Sequence, residues 1–297
     1  MKFLLAGWFS FEQMGASAGD LLARDLVRDW LHEEQHSCDI AVAAPFSDGI
    51  AWQDAEPAQY GGLIFVCGPF GNGPPLVDFL AHFAGLPLIG VNLTMLQRLD
   101  EWNPFDLLLE RDSSATSRPD LVFATSQPRV PVAGLVLVHH QSEYRDRARH
   151  TDANEALQEL IDSRELAVIP IDTRLDDNQV GLRTSAEVES LIARMDVVLT
   201  TRLHGMVLAL KNGVPALVVD PIAGGAKISR QAKAIGWDKV YVADALKPQE
   251  LQSALDYCLS AEGGARARRI AERAAGKCEA IKQEFVDGIR ALAATET

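Results

Sequence analysis

The chain has 297 residues, of which 47% are hydrophobic and 23% are charged, and its formal net charge is −13. This length predicts about two domains, and the acidic charge argues against nucleic acid or an anionic membrane surface as a general partner. No apolar stretch reaches the roughly 20 residues of a membrane span. We therefore expect a globular cytoplasmic protein with no transmembrane segment.

The cysteines show neither a metal-binding pattern nor a disulfide framework. Cys38, Cys67, Cys258 and Cys278 are widely spaced, and no CxxC or Cys–His spacing occurs. We expect reduced thiols and no metal site.

Short apolar runs alternate with helical patterns in the first half of the chain. Strands are predicted at residues 2–7, 40–43, 63–67, 86–91 and 107–109, with a further short candidate at 121–123. The clearest helices are predicted at 21–32 and 75–84. Residues 127–131 contain two prolines and are the best candidate for a linker.

The second half repeats the alternation. Strands are predicted at 135–139, 167–171, 197–200, 216–219 and 240–242, and helices at 154–163, 185–195, 205–212, 229–235 and 248–259. A long amphipathic helix follows over 261–294, weakened at Gly276. Because alternating strands and helices form parallel sheets, we expect an α/β protein with one sheet in each half. The predicted domains are 1–130 and 131–275, followed by a C-terminal helix at 276–297.

An arginine and a histidine stand directly after the predicted strand 197–200. Ligands of open α/β sheets gather at the carboxyl ends of strands, and the free N–H groups at the start of the next helix favour anions. Arg202 offers a planar pair of donors for phosphate or carboxylate, and His204 can move a proton near neutral pH. Lys227 follows the next strand and can approach the same edge. The alternative is a local ion pair at Arg202, a plain helix N-terminal position for His204 and a solvated Lys227.

The pattern of these residues resembles the C-terminal signature of the polysaccharide pyruvyl transferases. RLH at 202–204, an apolar helix, GVP at 213–215, a strand and Lys227 carry the resemblance. The resemblance implies two Rossmann-like domains whose parallel sheets face a cleft, as in GT-B glycosyltransferases, with a C-terminal helix that crosses back to the first domain. It also implies contacts from Arg202 and Lys227 to phosphoenolpyruvate and a catalytic role for His204. The family commonly has an aromatic-rich turn before the lysine, whereas this chain has DPIAGGA.

Two segments of the first half share the resemblance. ERDSSATSRPD at 110–120 resembles the family's RD-x-S segment, which implies that Arg111 also binds the donor. On its residues alone, the Arg–Asp pair is more typical of a surface ion pair. The loop before the first helix resembles the family's N-x-G-D loop through Gly19 and Asp20, with Ser17 in place of the asparagine. The alternative is a simple loop in which Asp20 is the N-cap of the helix.

Further candidates for the acceptor site or the cleft stand at other strand ends. Gly71 and Asn72 lie in a glycine-rich turn at 68–73, where a plain turn is equally consistent. His140 follows the predicted strand 135–139, and Asp172 follows 167–171, where a surface loop is the alternative.

The resemblance implies a transferase that moves pyruvate from phosphoenolpyruvate onto a sugar of a polysaccharide or glycan precursor, forming a ketal. The expected partners are phosphoenolpyruvate and a glycan acceptor, and nothing in this chemistry requires a metal or redox cofactor. Two alternatives stay open: a nucleotide-sugar glycosyltransferase on the same architecture, and a non-catalytic glycan- or anion-binding relative.

Overall fold

The computed structural model describes residues 1–112, 116–138 and 142–294, without the side chains of 142–144. The chain forms two compact units, Met1–Pro128 and Arg129–Thr297. The division falls inside the proline-containing stretch 127–131, where the sequence predicts a linker.

The first unit is a five-stranded parallel sheet flanked by helices. Its strands are β1 (Lys2–Gly7), β2 (Ser37–Ile40), β3 (Gly62–Phe70), β4 (Leu88–Met95) and β5 (Leu107–Glu110), and its α-helices are α1 (Ala18–Glu33) and α2 (Leu76–His82). The strand order is β2-β1-β3-β4-β5. The chain therefore leaves β1 for β2 on one side and returns to place β3 on the other, which makes the β1/β3 edge a topological switch point.

The sheet of the first unit is covered on both faces, which explains its long apolar strands. One face of β3 carries Phe65 and Phe70 into an aromatic core with Phe79 of α2. The other face carries Ile64, which packs with Val27 of α1.

The second unit repeats this plan with more helices. Its strands are β6 (Val132–Val136), β7 (Ala167–Pro170), β8 (Val197–Thr200), β9 (Ala216–Asp220) and β10 (Val240–Val242). Its α-helices are α3 (His150–Asp162), α4 (Ser185–Ile192), α5 (Leu203–Lys211), α6 (Lys227–Ile235), α7 (Pro248–Leu259) and α8 (Ala261–Ala294). The strands are parallel in the order β10-β9-β8-β6-β7, so the switch point lies between β6 and β8.

The predicted fold class is confirmed: each unit is a Rossmann-like, parallel α/β sheet. Several local predictions need correction, and one of them is the strand predicted at 135–139, which lies at Val132–Val136. The candidate strand at 121–123 is wrong, because Leu121–Ala124 is a 3-10 helix whose N-cap, Asp120, accepts a hydrogen bond from the N–H of Val122. The second strand lies at Ser37–Ile40 rather than 40–43. Strand β3 runs on to Phe70, so the turn predicted at 68–73 begins inside the strand.

Helix α8 is continuous over 34 residues through Gly276. Its first part packs on α5, α6 and α7 of the same unit, where Gly263, Ala267 and Ile270 are buried. A crossing to the first unit stays a prediction, as does the cleft. Among the residues that the structure describes, no helix combines the length and the apolar character that crossing a membrane requires.

Candidate functional site

A small pocket lies at the carboxyl edge of the sheet in the second unit. Its volume is about 190 Å³. The segments that follow β6, β7, β8 and β9 contribute its walls, so it spans the switch point of the sheet. The lining residues are Val138, Thr173, Arg174, Thr201, Arg202, Leu203, His204, Asp220, Pro221, Ile222, Lys227 and Ile228. The structure therefore brings together the three residues of the C-terminal signature: Arg202, His204 and Lys227.

The end of β8 fixes where Arg202 stands. Arg202 is the N-cap of α5 in an extended conformation, and its N–H donates to the Thr200 hydroxyl at 2.9 Å. That hydroxyl donates in turn to the carbonyl of Val136 at 2.8 Å, which ties the start of α5 to β6. A Cβ on Gly205 would overlap the same hydroxyl, so the close approach of helix and strand requires glycine there.

A buried carboxylate orients the Arg202 side chain. Asp172, only 6% exposed, accepts a hydrogen bond of 2.7 Å from Arg202 Nη1. Thr173 Oγ1 accepts a second from the same nitrogen at 3.2 Å. The Nε and Nη2 donors of Arg202 bind none of the residues that the structure describes. The guanidinium, 14% exposed, is thus held at one nitrogen, and its other donors are available to a ligand.

Asp172 is a positioning residue rather than part of an exposed loop. Its oxygens also accept the backbone N–H groups of Arg174 at 2.9 Å and Gln179 at 3.2 Å. Burial by itself would raise the pKa of Asp172, but these backbone donors and the charge of Arg202 outweigh it. The pKa therefore lies below its ordinary value and the carboxylate stays ionised. Asp172 contacts the guanidinium of Arg202 but is not among the residues that line the pocket.

His204 is the second residue of α5 and is exposed at the pocket. Its side chain forms no hydrogen bond or ion pair with any residue in the described part of the chain. Its imidazole is therefore available to exchange a proton with a bound molecule.

Lys227 reaches the pocket through a turn organised by Asp220. Lys227 is the first residue of α6. The fully buried carboxylate of Asp220 accepts the backbone N–H groups of Ile222 at 3.2 Å and Ala226 at 2.8 Å. It also accepts the N–H of Ser229 at 3.0 Å and its hydroxyl at 2.7 Å.

The same turn requires a left-handed backbone. Gly225 has φ +74°, and a Cβ there would stand 2.8 Å from Ser229 Oγ. Where the resemblance implies an aromatic-rich turn, this chain has an Asp-centred, glycine-containing turn that leads into Lys227. Sequence reasoning missed Asp220, although an aspartate that ends an apolar strand before two glycines was the available signal.

Arg174 adds a cation that motif reasoning did not place in the pocket. Its guanidinium donates to Asp176 at 3.0 and 2.7 Å and lines the pocket beside Thr173. Two arginines, of which Arg174 is paired with Asp176, a lysine and a histidine thus line a small cavity beside the buried Asp220, in a chain of net charge −13. Such a local concentration of donors against the global charge indicates an anionic ligand. In the described part of the chain, no three potential metal ligands come together.

Arg111, which the resemblance predicts to bind phosphoenolpyruvate, already donates hydrogen bonds within the protein through each of its three nitrogens. It follows β5, and its Nη1 donates to Asp120 at 2.8 Å. Its Nε donates to Asp112 at 3.1 Å and its Nη2 to Thr94 Oγ1 at 2.8 Å. An anion would have to compete with two carboxylates for this guanidinium.

The other candidates in the first unit also lie at the carboxyl edge of its sheet. Ser17 is the N-cap of α1, and its N–H and hydroxyl donate to the carboxylate of Asp20 at 2.7 and 2.6 Å. The alternative in which Asp20 is the N-cap is therefore wrong. Gly71 and Asn72 follow β3, where the N–H of Asn72 donates to the side chain of Gln97 at 3.1 Å.

Gly19 lies in the first turn of α1, where a Cβ would stand 3.5 Å from Ser17 Oγ. The predicted candidate His140 lies outside the described residues.

The segment that carries most of this pocket matches a known family. The family model for polysaccharide pyruvyl transferase matches residues 105–221. This segment belongs to the polysaccharide pyruvyl transferase family. The resemblance predicted from the RLH and GVP runs is confirmed over the matched segment, which includes Arg111, Arg202 and His204. Lys227 lies beyond it, so its equivalence to the lysine of the pyruvyl transferases stays a prediction.

Comparison with solved structures adds only distant likenesses. Spinosyn forosaminyltransferase SpnP is 13% identical, with 91% of this chain and 93% of that chain covered and a TM-score of 0.33. The calicheamicin glycosyltransferase CalG4 is 14% identical, with 94% and 97% covered and a TM-score of 0.33. The UDP-GlcNAc 2-epimerase of Methanocaldococcus jannaschii is 10% identical, with 92% and 100% covered and a TM-score of 0.33. Values this low imply nothing about activity, and the fold class rests on the two sheets themselves. None of the curated proteins compared with the chain matches it.

Proposed function

We propose that the chain transfers pyruvate from phosphoenolpyruvate onto a sugar of a polysaccharide or glycan precursor, forming a ketal. The observation that carries this proposal is the pocket of the second unit. Within the described residues, it combines Arg202, which has unused donors, with His204, whose side chain has no partner, and with the cations Arg174 and Lys227. Most of its lining residues lie in the segment that matches the pyruvyl transferase family.

The pocket suits a small molecule with two neighbouring anionic groups. Phosphoenolpyruvate carries a carboxylate and a phosphate on the same carbon. Arg202 can donate through the two nitrogens that Asp172 and Thr173 do not use, and charge-assisted bonds of this kind are the strong ones. The N-termini of α5 and α6 both line the pocket, and the free N–H groups and dipole of each favour negative charge.

The reaction moves two protons away from the acceptor hydroxyls, one to the methylene carbon of the donor and one to the departing phosphate. Protonation of the methylene carbon makes C2 electrophilic, and a sugar hydroxyl attacks there with loss of its proton. Phosphate then leaves, and a second hydroxyl of the same sugar adds to C2 with loss of its own proton, which closes the ketal. Among the described residues that line the pocket, His204 is the one imidazole, and it is the group that we assign to proton transfer. The cations stabilise the charge that develops on the departing phosphate.

Calorimetry with phosphoenolpyruvate tests the proposal, with uridine diphosphate as the comparison ligand. The wild-type protein is expected to bind phosphoenolpyruvate in preference to the nucleotide. Arg202→Ala is expected to lose this binding, whereas Arg183→Ala, which changes a largely exposed arginine outside the pocket, should keep it. Preference for the nucleotide would favour a glycosyltransferase. Binding of phosphoenolpyruvate without phosphate release from any glycan acceptor would favour a non-catalytic relative.

A further inference from the structure

A second and larger concavity lies in the first unit, at the carboxyl edge of its sheet. This groove has a volume of about 710 Å³ and is walled by the segments that follow β1, β2 and β3. It therefore stands at the β1/β3 switch point, the place where open α/β sheets bind ligands. The lining residues are Ser10, Phe11, Glu12, Met14, Val42, Ala43, Ala44, Phe46, Ala51, Trp52, Gln53, Pro74 and Pro75. Nothing in the transfer chemistry assigned to the second unit uses them.

One wall of the groove is a fixed aromatic side chain. Trp52 packs against Phe11, Phe79 and His82 with ring centroids 6.2, 5.5 and 5.6 Å apart, and it stays half-buried. Its indole N–H donates to none of the residues that the structure describes. An anchored ring with an unused polar edge suits a ligand that is apolar on one face and hydrogen-bonding at its rim.

Besides Trp52, the polar side chains of the groove are a carboxylate, an amide and the hydroxyl of Ser10, and none of them is a cation. Glu12 and Gln53 are exposed and form no ion pair or hydrogen bond with the described residues. No lysine, arginine or histidine is among the lining residues. With one carboxylate and no cation, the groove disfavours phosphates and other anions.

We propose that this groove binds an uncharged saccharide. A hexopyranose ring presents an apolar C–H face that can pack on Trp52 and hydroxyl groups that can donate to Glu12 and exchange hydrogen bonds with Gln53. The volume lies in the range of pockets that hold small organic ligands. That this saccharide is the acceptor of the transfer rests on the proposed function. The binding itself does not.

Ligand-observed NMR on the full chain tests the groove directly. The probes are lactose, cellobiose and N,N′-diacetylchitobiose as neutral disaccharides, with glucuronic acid as the anionic comparison and octyl glucoside as the alkyl comparison. At least one neutral disaccharide is expected to bind, and glucuronic acid is expected to bind more weakly. Trp52→Ala should weaken binding about tenfold, and Glu12→Gln by a few-fold through loss of a charge-assisted bond. Trp30→Ala, which removes an exposed tryptophan of α1 outside the groove, should leave binding unchanged.

Three outcomes would overturn the proposal. The first is that no neutral disaccharide binds. The second is that Trp52→Ala and Glu12→Gln both bind as wild type; the exposed Glu12 makes the second variant safe for folding. The third is that octyl glucoside binds while the disaccharides do not, which would assign the groove to an alkyl chain. Phosphoenolpyruvate calorimetry on Trp52→Ala separates the two hypotheses, since the donor pocket lies in the other unit and its binding should be unchanged.

Discussion

The two units place their concavities at the same topological position but line them with opposite chemistry. In the second unit the switch point carries a pocket of about 190 Å³ surrounded by Arg174, Arg202, His204 and Lys227. In the first unit it carries a groove of about 710 Å³ with Trp52 and no cation among its lining residues. The sheet topology determines where a ligand binds, whereas the residues that follow each strand determine which ligand it is.

The same contrast separates two arginines that each follow a strand. Arg111 donates to two carboxylates and a hydroxyl, through all three of its nitrogens. Arg202 donates from one nitrogen to Asp172 and Thr173. An arginine at a strand end is therefore an anion ligand only to the extent that its own carboxylates leave donors unused.

The largest expected effect is at His204. His204→Gln should lower kcat by roughly 10²–10⁴-fold, the usual contribution of one positioned proton-transfer group, while the Kd for phosphoenolpyruvate stays close to that of wild type. Phosphate release and calorimetry on the same preparation measure the two quantities. His32→Gln, an exposed histidine of the first unit, is the matched control. Equal loss of binding and turnover would mean that His204 holds the donor rather than moving a proton.

The next effect compares the two arginines. Arg202→Ala should lower kcat/KM by roughly 10²–10³-fold, because it removes donors aimed at developing charge. Arg111→Ala should cost less than tenfold, since its guanidinium is already neutralised by Asp112 and Asp120. Steady-state kinetics of both variants with phosphoenolpyruvate as the varied substrate measure the difference. Equal losses would show that Arg111 leaves Asp112 and Asp120 and binds phosphoenolpyruvate instead, as the family resemblance implies.

A smaller effect, on the free energy of unfolding, compares a glycine that the backbone requires with one that can be replaced. Gly225→Ala should lower the free energy of unfolding by about 1–2 kcal/mol, because a left-handed residue with a Cβ is strained and Ser229 blocks the space. Gly73→Ala in the first unit meets no atom within 4 Å and should be close to neutral. Urea unfolding of the two variants measures the comparison. A loss of phosphoenolpyruvate affinity in Gly225→Ala would additionally show that the turn positions Lys227.

The smallest expected effect is on the pH dependence of the unfolding free energy at acidic pH, and it concerns one aspartate in each unit. Burial of Asp172 and partial burial of Asp120 by themselves raise a carboxyl pKa, but backbone N–H donors and the paired arginines outweigh burial and lower both pKa values. Each carboxylate thus contributes stability above the ordinary carboxyl pKa of about 3.9, and that contribution is lost as the pH falls through the lower folded value.

Asp172→Asn and Asp120→Asn should therefore each flatten the fall in unfolding free energy below about pH 4. Urea unfolding at a series of acidic pH values measures the slope. Asp48→Asn, which changes an exposed aspartate, is the control. If the slope of unfolding free energy against pH were unchanged in both Asp172→Asn and Asp120→Asn, neither ion pair would contribute to the acid dependence of stability.

The local sequence pattern was sufficient to predict most helices and strands and to locate the RLH motif. The β-branched run at 197–200 and the apolar spacing that follows it predicted β8 and α5, because periodicity and a stop at Gly213 depend on neighbouring residues alone. Placing Arg202 and His204 at a strand end followed from the same reasoning, since a short strand followed at once by a helix leaves only one location for the residues between them.

Tertiary structure decided which of these residues meet. Lys227 joins Arg202 and His204 because β8 and β9 are neighbours in the sheet, and Asp172 orients Arg202 from a strand that is two positions away from β8. The aromatic wall of the groove, where Trp52 packs on Phe79, depends equally on packing. Such contacts join residues far apart in the chain, so strand order and burial determine them, and neither leaves a periodic signal in the sequence.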